Sequence, residues 1–330
     1  MRRALRRTAL LAALAAAAVP ARAWRLFGEP SDGRIRPVQA LSDAGKAKQV
    51  VAALTPDFIA TLRGTDLRQA YVLMGDNLQI LGKPAEALGY YQLGVGLFPK
   101  NVDLLTRLGD LLHRNGLDAR ARPYLKRALI YEPRHWVAHI DLAQIAARDG
   151  FYEKAAAHYE VAFEAPEVLK RPDVWREYAA VLMKLGEDKT AELALRKSLE
   201  LEPKSADAHV LLAFVRRDEG NVDEAALQLD QAAVLGAGVG ALRAKALLLL
   251  DAGRPTQARA AAEEVLKTVP GDAAALWVVA RVRLASGDYA GAAAALSRAR
   301  QAAQGDGFAL KADEALRDAA LARAADRASR

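Results

Sequence analysis

Residues 102–135 read VDLLTRLGDLLHRNGLDARARPYLKRALIYEPRH, and this stretch decides the fold. On each side of Gly116, apolar side chains recur every three or four residues, which is the spacing of one face of an α-helix and not of a strand. They are Leu105, Leu108 and Leu112 before the glycine, and Ala121, Leu125, Ala128 and Leu129 after it. Glycine readily takes the left-handed conformation that closes a helix. The stretch therefore predicts two helices whose apolar faces meet across a turn.

The same pattern occurs seven times along the chain. The glycines are Gly82, Gly116, Gly150, Gly186, Gly220, Gly253 and Gly287. Alanine stands five positions after each of them, at Ala87, Ala121, Ala155, Ala191, Ala225, Ala258 and Ala292. Glycine or alanine also stands seven positions before each turn, and any larger side chain there would be wedged between the paired helices. A period near 34 residues predicts an array of repeated helix pairs and not one globular core.

These residues resemble the tetratricopeptide repeat, which has small residues at its eighth and twentieth positions and proline near its thirty-second. Large side chains at Tyr71, Tyr91, Tyr159 and Trp175 fit the same pattern. The resemblance implies an all-α, right-handed α-solenoid, in which the first helix of each unit lines the concave face. It divides residues 68–306 into repeats at 68–101, 102–135, 136–171, 172–205, 206–238, 239–272 and 273–306. Lys170 and Arg171 make the third repeat the longest, which suggests a small bend there.

The segments outside the array have their own signals. Residues 1–23 have basic residues, a short apolar run and Ala21-Arg22-Ala23, which is typical of a secretory signal peptide cleaved after Ala23. The alternatives are an uncleaved anchor and a fortuitous basic, alanine-rich N-terminus. Residues 24–67 are expected to be a linker and N-terminal capping segment, with a tether for a partner as the alternative. A short helix is expected from Pro56 to Gly64. Residues 307–330 carry apolar residues at helical spacing and are expected to form a C-terminal capping helix.

The formal net charge of +7 arises mostly in the signal-like segment. Without its five arginines, 47 − 5 = 42 basic residues face 40 acidic ones, so the mature chain has a charge of +2. The case for a nucleic-acid partner therefore disappears. No further stretch approaches 18 consecutive apolar residues, and we expect no membrane span after export, with the periplasm as the destination.

No set of residues predicts catalysis, a cofactor site or a metal site. Residues 236–241 satisfy a dinucleotide-binding pattern, but a helix and not a strand is expected before them, so we interpret them as a flexible junction. His135 and His139 have ligand-like spacing but no third ligand, and a structural role is favoured. The chain has no cysteine, which removes thiol nucleophiles and cysteine-based zinc sites. The sequence therefore predicts a protein that is not an enzyme.

The family's groove positions point to a partner-binding surface. In the order of the chain they include Arg107, Arg114, Arg148, Arg176, Lys184, Phe214, Arg217, Leu247, Trp277 and Arg281. The basic half fits an acidic peptide or an anionic glycan, unless neighbouring acids such as Asp110 and Asp173 neutralise it. The apolar half fits an extended or helical partner segment, unless the C-terminal helix folds back over it.

Two functions follow from this groove. The first is an exported, periplasmic adaptor that holds protein partners of a cell-envelope assembly. The alternative is a component of an exopolysaccharide synthesis or secretion machine, whose basic groove contacts an anionic polymer. An enzyme with an unrecognised site is a third, less favoured hypothesis.

Overall fold

The computed structural model describes residues 33–302, which contain no β-strand. The helices are α1 (Arg36–Asp43), α2 (Ala47–Ala53), α3 (Pro56–Thr61), α4 (Gly64–Ile80), α5 (Pro84–Leu97), α6 (Val102–Arg114), α7 (Asp118–Tyr131), α8 (Trp136–Arg148), α9 (Tyr152–Ala162), α10 (Pro172–Leu185), α11 (Asp188–Leu201), α12 (Ala206–Asp218), α13 (Val222–Ala232), α14 (Gly238–Asp251), α15 (Pro255–Thr268), α16 (Ala273–Ala285) and α17 (Tyr289–Ala302). From α4 onward they pack as seven successive pairs, and each pair also contacts a neighbour in its unit. The expected all-α solenoid class is confirmed. The predicted signal peptide, 1–23, and capping helix, 307–330, lie outside the described residues.

The chain divides into two compact units, at residues 33–168 and 169–302 of the described part. Unit 1 contains α1–α9, and unit 2 contains α10–α17. The division falls at the longest repeat spacing, where α9 ends early and a 3₁₀ turn at Val168–Lys170 precedes α10. The two residues that exceed the repeat length are therefore found at the junction of the units.

The seven repeat glycines close the first helix of each pair. All seven have φ between +70° and +81°, which is the left-handed conformation. At Gly116 the backbone N–H bonds to the carbonyl of His113 (2.8 Å), and the N–H of Leu117 bonds to that of Leu112 (2.9 Å). These bonds satisfy carbonyl groups at the helix end that have no partner within the helix.

Small residues bring the paired helices close together. A Cβ atom at Gly75 would lie 2.1 Å from the Tyr91 ring, and one at Gly109 would lie 2.5 Å from Leu125. Tyr91 and Leu125 are fully buried. Glycine is therefore required at Gly75 and Gly109, because the facing side chain leaves no room for a Cβ atom.

Residues before the array pack onto it as a cap. Val50, Leu54 and Leu62 are fully buried and share a hydrophobic core with α4–α8. Two polar contacts fix the segment further, from Ile35 N–H to Asp66 (3.3 Å) and from the Asn77 amide to Ser42 (3.0 Å).

The expectation that Gly64 ends the short helix is wrong. α3 ends at Thr61, extended residues follow, and Gly64 begins α4, because burial of Leu62 draws the chain out of the helix.

One helical run in unit 2 is long and apolar enough by composition to cross a membrane. It extends over Val222–Asp251, with a mean hydropathy of 1.7 in its best 18-residue window, of which 22% is buried. The run bends at a π-helical turn, Ala233–Ala237, where Gly236 has φ of +116°. Its two halves, α13 and α14, pack against α12 and α15 as members of the repeat array, while Leu227 and Val234 remain exposed.

Candidate partner-binding surface

A partly buried polar cluster joins the first two repeats of unit 1. The Tyr91 hydroxyl donates to Asp76 (2.5 Å) and accepts from the Gln79 amide (2.8 Å), while Arg107 donates to Asp76 (2.8 Å). Burial raises the pKa of Asp76, and the hydrogen bonds from Arg107 and Tyr91 oppose this rise. Burial and the Asp76 carboxylate raise the pKa of Tyr91, which keeps its hydroxyl protonated as a donor. Arg107 thus links two helix pairs through its ion pair with Asp76.

The other predicted arginines of unit 1 are also paired with carboxylates. Arg114 bonds to Asp110 (2.7 Å) and Arg148 bonds to Asp118 (2.7 Å). Asp118 additionally bonds to Nδ1 of the buried His113 (2.7 Å). The basic character that the sequence suggests for this part of the surface is therefore largely neutralised within the protein.

In unit 2 the predicted cations fall into two groups. Arg176 bonds to Glu202 (2.7 Å), and Arg217 bonds to the adjacent Asp218 (2.8 Å). Lys184 is exposed, as is Arg281, and neither forms an ion pair with a carboxylate of residues 33–302. These two side chains retain the capacity to bind an external anion.

Two aromatic side chains carry a guanidinium on their faces. Arg217 lies over Phe214, with 5.1 Å between the guanidinium carbon and the ring centroid, and Arg281 lies over Trp277 at 5.7 Å. Such cation–π pairs are worth about 0.5–1 kcal/mol at exposed sites. They also hold the aromatic rings in place on α12 and α16.

Half-buried apolar side chains are also present on α14. Leu247, Leu250 and Trp277 lie on the hydrophobic core that α14 shares with α15 and α16, and each keeps part of its surface exposed. The Trp277 Nε1–H is shielded and has no hydrogen-bond partner in the described part of the chain. We call Phe214, Arg217, Leu247, Leu250, Trp277 and Arg281 the aromatic face of unit 2.

The histidines have structural contacts. His139 is buried, its Nδ1 lies 2.9 Å from Nδ1 of His158, and its Nε2 donates to the Pro133 carbonyl (2.9 Å). His135 precedes α8 and bonds to Glu132 (3.1 Å), and His209 bonds to Gln228 (2.7 Å). Within residues 33–302 no group of three or more His, Asp or Glu side chains could hold a metal ion.

A separate cavity of about 460 Å³ opens between α13, α14 and α15. Carboxylates line it, but Asp223 pairs with Arg254 and Asp230 pairs with Lys245 (2.6 Å). None of the ten predicted groove residues lines this cavity. It therefore adds no support to the candidate surface.

Sequence reasoning missed three clusters that the structure brings together. They are the Tyr91–Asp76–Arg107 cluster, the His139–His158 pair, and Arg216, which is almost fully buried and contacts Glu192, Glu219 and Glu224. Repeat numbering places His139 and His158 at the fourth and twenty-third positions of one repeat. His209 and Gln228 occupy the same positions two repeats later and also bond to each other. A comparison of equivalent positions in different repeats was therefore the signal that could have predicted the His139–His158 contact.

The repeated helix pairs define a helical repeat protein, and comparisons with known proteins identify its family. Profiles described as tetratricopeptide repeat match residues 72–130, 119–168 and 243–307, and a second such profile matches 172–215. The chain belongs to the tetratricopeptide-repeat family. Proteins of this family generally act as non-enzymatic scaffolds that bind protein partners, including peptides.

Curated relatives match over short stretches. BBSome complex member BBS4 of Bos taurus is 28% identical over 105 residues, which are 32% of this chain and 20% of that protein. Tetratricopeptide repeat protein 7B of Homo sapiens is 29% identical over 191 residues, which are 54% of this chain and 22% of that protein. The chain thus spans about one fifth of the length of each.

Solved structures agree in fold. A tetratricopeptide repeat protein from Parabacteroides merdae has a TM-score of 0.55 at 20% identity, covering 76% of this chain and 98% of that one. PilF of Pseudomonas aeruginosa has a TM-score of 0.53 at 17% identity, covering 63% and 94%. YrrB, described as a tetratricopeptide-repeat protein with an unusual peptide-binding site, has a TM-score of 0.50 at 19% identity, covering 56% and 95%.

Proposed function

We propose that this protein is a non-catalytic adaptor that holds a segment of a partner protein on the aromatic face of unit 2. The observation that carries the proposal is the half-exposed Trp277 and Phe214, each with an arginine on its ring. Aromatic and arginine side chains supply most of the binding energy in many protein interfaces. The peptide-binding site named for the similar YrrB structure supports the same kind of partner.

The physical basis of binding is burial of apolar surface. A partner segment that covers Leu247, Leu250 and Trp277 gains about 25 cal/mol for each Å² of apolar area removed from water. Arg281 has no carboxylate partner among residues 33–302, so a carboxylate on the partner can bond to it without first breaking an ion pair. The face therefore favours a segment that combines apolar side chains with acidic ones.

The polysaccharide alternative has weaker support. A basic groove for an anionic polymer needs cations that are free to bind it, but Arg107, Arg114, Arg148 and Arg176 each bond to a carboxylate of the protein. Exposed ion pairs carry little free energy, so they can exchange partners, yet each intact pair has no net charge to attract a polymer. Partner binding that persists at high salt would favour the apolar face over a polyanion.

The adaptor proposal places the protein in the periplasm as part of a cell-envelope assembly. Its support is the three-part pattern of residues 1–23, with basic residues, a short apolar run and a cleavage site. N-terminal sequencing of the protein purified from its host is expected to begin at Trp24. A mature protein that still begins at Met1 would contradict export.

The binding face is tested by affinity capture from envelope extracts. We expect the double variant Phe214→Ala, Trp277→Ala to lose the partners that the unaltered protein captures, because their apolar contact area is removed. The matched control is Ile130→Ala, which removes an exposed apolar side chain from α7 in unit 1. Identical partner sets for all three proteins would exclude the aromatic face as the binding surface.

A further inference from the structure

The cavity of about 460 Å³ in unit 2 lies between the second helices of two neighbouring repeats. These helices are α13 and α15, and α14 packs on both of them and contributes Lys245 and Leu249 to the lining. Ligand pockets in proteins have volumes of about 300–1,000 Å³. The cavity is therefore large enough to accept a side chain of a partner or a small molecule.

A small residue explains why this space is not filled by the protein itself. Ala261, which lines the cavity, stands eight positions after its turn glycine. The same position holds Tyr90, Tyr124 and His158 in the three repeats of unit 1. Tyr90 and Tyr124 are partly buried and pack against the hydrophobic core there. Alanine is too small to replace such a ring, which leaves the gap between α13 and α15 open.

Apolar side chains form part of the cavity wall. Leu249 is 3% exposed and Ala261 is 7% exposed, whereas Leu227 is 54% exposed. A ligand that covers Leu227 gains about 25 cal/mol for each Å² of apolar area removed from water. The cavity therefore favours a ligand with an alkyl stem.

The carboxylates of the cavity and their partners leave one net negative charge. Asp223, Asp230 and Glu264 line the cavity. Lys245 bonds to both oxygens of Asp230 (2.6 Å each), and Arg254 pairs with Asp223. Glu264 is exposed and forms no ion pair with a cation of residues 33–302. Since three carboxylates face two cations, a ligand with a single positive charge would balance the site.

The cavity and the aromatic face lie on opposite sides of α14. Lys245 and Leu249 are four residues apart and share one side of this helix, while Leu247 and Leu250 are three residues apart and share the other. At about 100° per residue, Leu247 lies about 200° from Lys245 around the helix axis. A ligand in the cavity therefore leaves the aromatic face free, and both sites can be occupied together.

We propose that this cavity binds a lysine or arginine side chain of a partner polypeptide. Such a side chain combines an alkyl stem, for contact with Leu227 and Leu249, with a cationic head that Glu264 can bind. A free alkyl diamine has the same chemistry but covers less of the exposed Leu227 than a polypeptide whose neighbouring residues also contact it. The site uses none of the residues of the aromatic face and does not depend on it.

Disulfide tethering in the full-length protein tests the chemistry of the cavity. The natural chain has no cysteine, so Ala260→Cys introduces a single thiol in the lining. The variant is equilibrated with equal amounts of the disulfides of aminohexanethiol, hexanethiol and mercaptohexanoic acid, which share one alkyl stem. Mass spectrometry measures the three products. We expect the product with the ammonium group to exceed the product with the carboxylate several-fold.

Matched controls separate the cavity from the general charge of the protein. Ala294→Cys places the thiol at the same repeat position on α17, where alanine is also exposed but lies outside the cavity lining. The preference for the ammonium group is expected to be several-fold weaker there, and also weaker when Glu264→Gln is added to Ala260→Cys. Glu263→Gln removes the neighbouring charge outside the lining and is expected to leave the preference unchanged. Equal preferences at the two cysteines, or equal effects of the two glutamine substitutions, would overturn the proposal.

Affinity capture from envelope extracts tests whether the ligand belongs to a polypeptide. Glu264→Lys places a cation beside the cavity, and we expect it to reduce capture of a partner several-fold, whereas Glu263→Lys retains that partner. Both positions are exposed on α15, and far-ultraviolet circular dichroism verifies that each variant remains folded. Capture that Glu264→Lys leaves unchanged would overturn the proposal, whether or not free diaminohexane binds the cavity. The tethering result does not involve Phe214 or Trp277, so failure of this site and failure of the aromatic face are distinguished.

Discussion

Gly75 shows how one atom fixes the register of a helix pair. Tyr91 is fully buried, its ring covers the backbone of α4 at Gly75, and its hydroxyl bonds to Asp76 one residue later. The ring can take this position only because Gly75 has no Cβ atom. The same close approach recurs at Gly109 beneath Leu125.

Gly75→Ala is therefore expected to destabilise the protein. The added Cβ would lie 2.1 Å from the Tyr91 ring, and overpacking of this kind typically costs about 1–3 kcal/mol. Chemical denaturation measures the change in the free energy of unfolding. Gly96→Ala is the matched control, because this exposed glycine of α5 has nothing within 4 Å of the added Cβ, and alanine there is expected to stabilise by about 0.5–1 kcal/mol. Equal effects of the two substitutions would contradict the packing explanation.

Ion pairs at the residue scale explain why the predicted basic groove is not basic. Each arginine was identified by its repeat position, but whether its charge is neutralised depends on nearby carboxylates, and some of these lie on other helices. Arg107 pairs with Asp76 on α4, and Arg148 pairs with Asp118 on α7. The repeat position of an arginine predicts which face of its helix it occupies. It does not predict the distance to a carboxylate about 30 residues away in the chain.

The His139–His158 pair is the element-scale feature that depends on pH. The Pro133 carbonyl can only accept, so Nε2 of His139 carries a proton, and Nδ1 of the neutral ring accepts from Nδ1–H of His158. Burial, His139 on α8 and Lys126 on α7 lower the pKa of His158. In the turn before α8, Glu132 pairs with His135 and Arg134 pairs with Glu164 (3.3 Å).

The free energy of unfolding is expected to fall as pH drops below about 6.5, the pKa of histidine in an unfolded chain. Below that pH the unfolded chain binds a proton that the folded His158 does not, and this loss continues down to the lowered pKa of the folded state. Because His158 is half-buried and screened by solvent, the expected loss is below about 1 kcal/mol. Denaturation at several pH values between 5 and 8 measures it.

His158→Gln is the control for this prediction. It reproduces the His209–Gln228 pair, in which glutamine stands at the same repeat position (2.7 Å). The variant is expected to show a shallower dependence of stability on pH than the unaltered protein over this range. An unchanged dependence would exclude His158 as the group responsible.

At the scale of the whole molecule, the chain segment that joins the two units is exposed. Leu169 is 47% exposed and Lys170 is exposed. Residues 163–171, which include the 3₁₀ turn at Val168–Lys170, separate α9 from α10. Exposed connecting segments are preferred sites of proteolytic cleavage. The junction coincides with the repeat that is two residues longer than the others.

Limited trypsin digestion is expected to cut the described part of the chain first after Lys170. The next bond, between Arg171 and Pro172, resists trypsin because proline follows the basic residue. Mass spectrometry of the fragments identifies the site, and Lys170→Gln is expected to delay cleavage. A first cut in a turn inside a unit, such as after Lys83 or Arg254, would contradict a preferentially accessible junction.

The sequence by itself determined the helix pairs, their number and their turns. Glycine at each turn and alanine five positions later are local requirements, because a left-handed helix end and a close helix contact each depend on the size of one side chain. The family's groove positions also predict Trp277 and Phe214 as partner-binding residues, and this stays a prediction. The end of the short helix was predicted too late, at Gly64, whereas α3 ends at Thr61 and the buried Leu62 follows it.

Only the tertiary structure decided which charges are free and which residues form clusters. Arg176 is neutralised by Glu202, whereas Arg281 stacks on Trp277 and pairs with no carboxylate of residues 33–302. Likewise, Tyr91 bonds to Asp76 and His139 pairs with His158. The repeat period does not distinguish the helix pairs that contain these contacts from the other pairs. The physical reason is that helical periodicity specifies the direction of a side chain, while electrostatic and hydrogen-bond energies depend on distances of a few ångströms across helices.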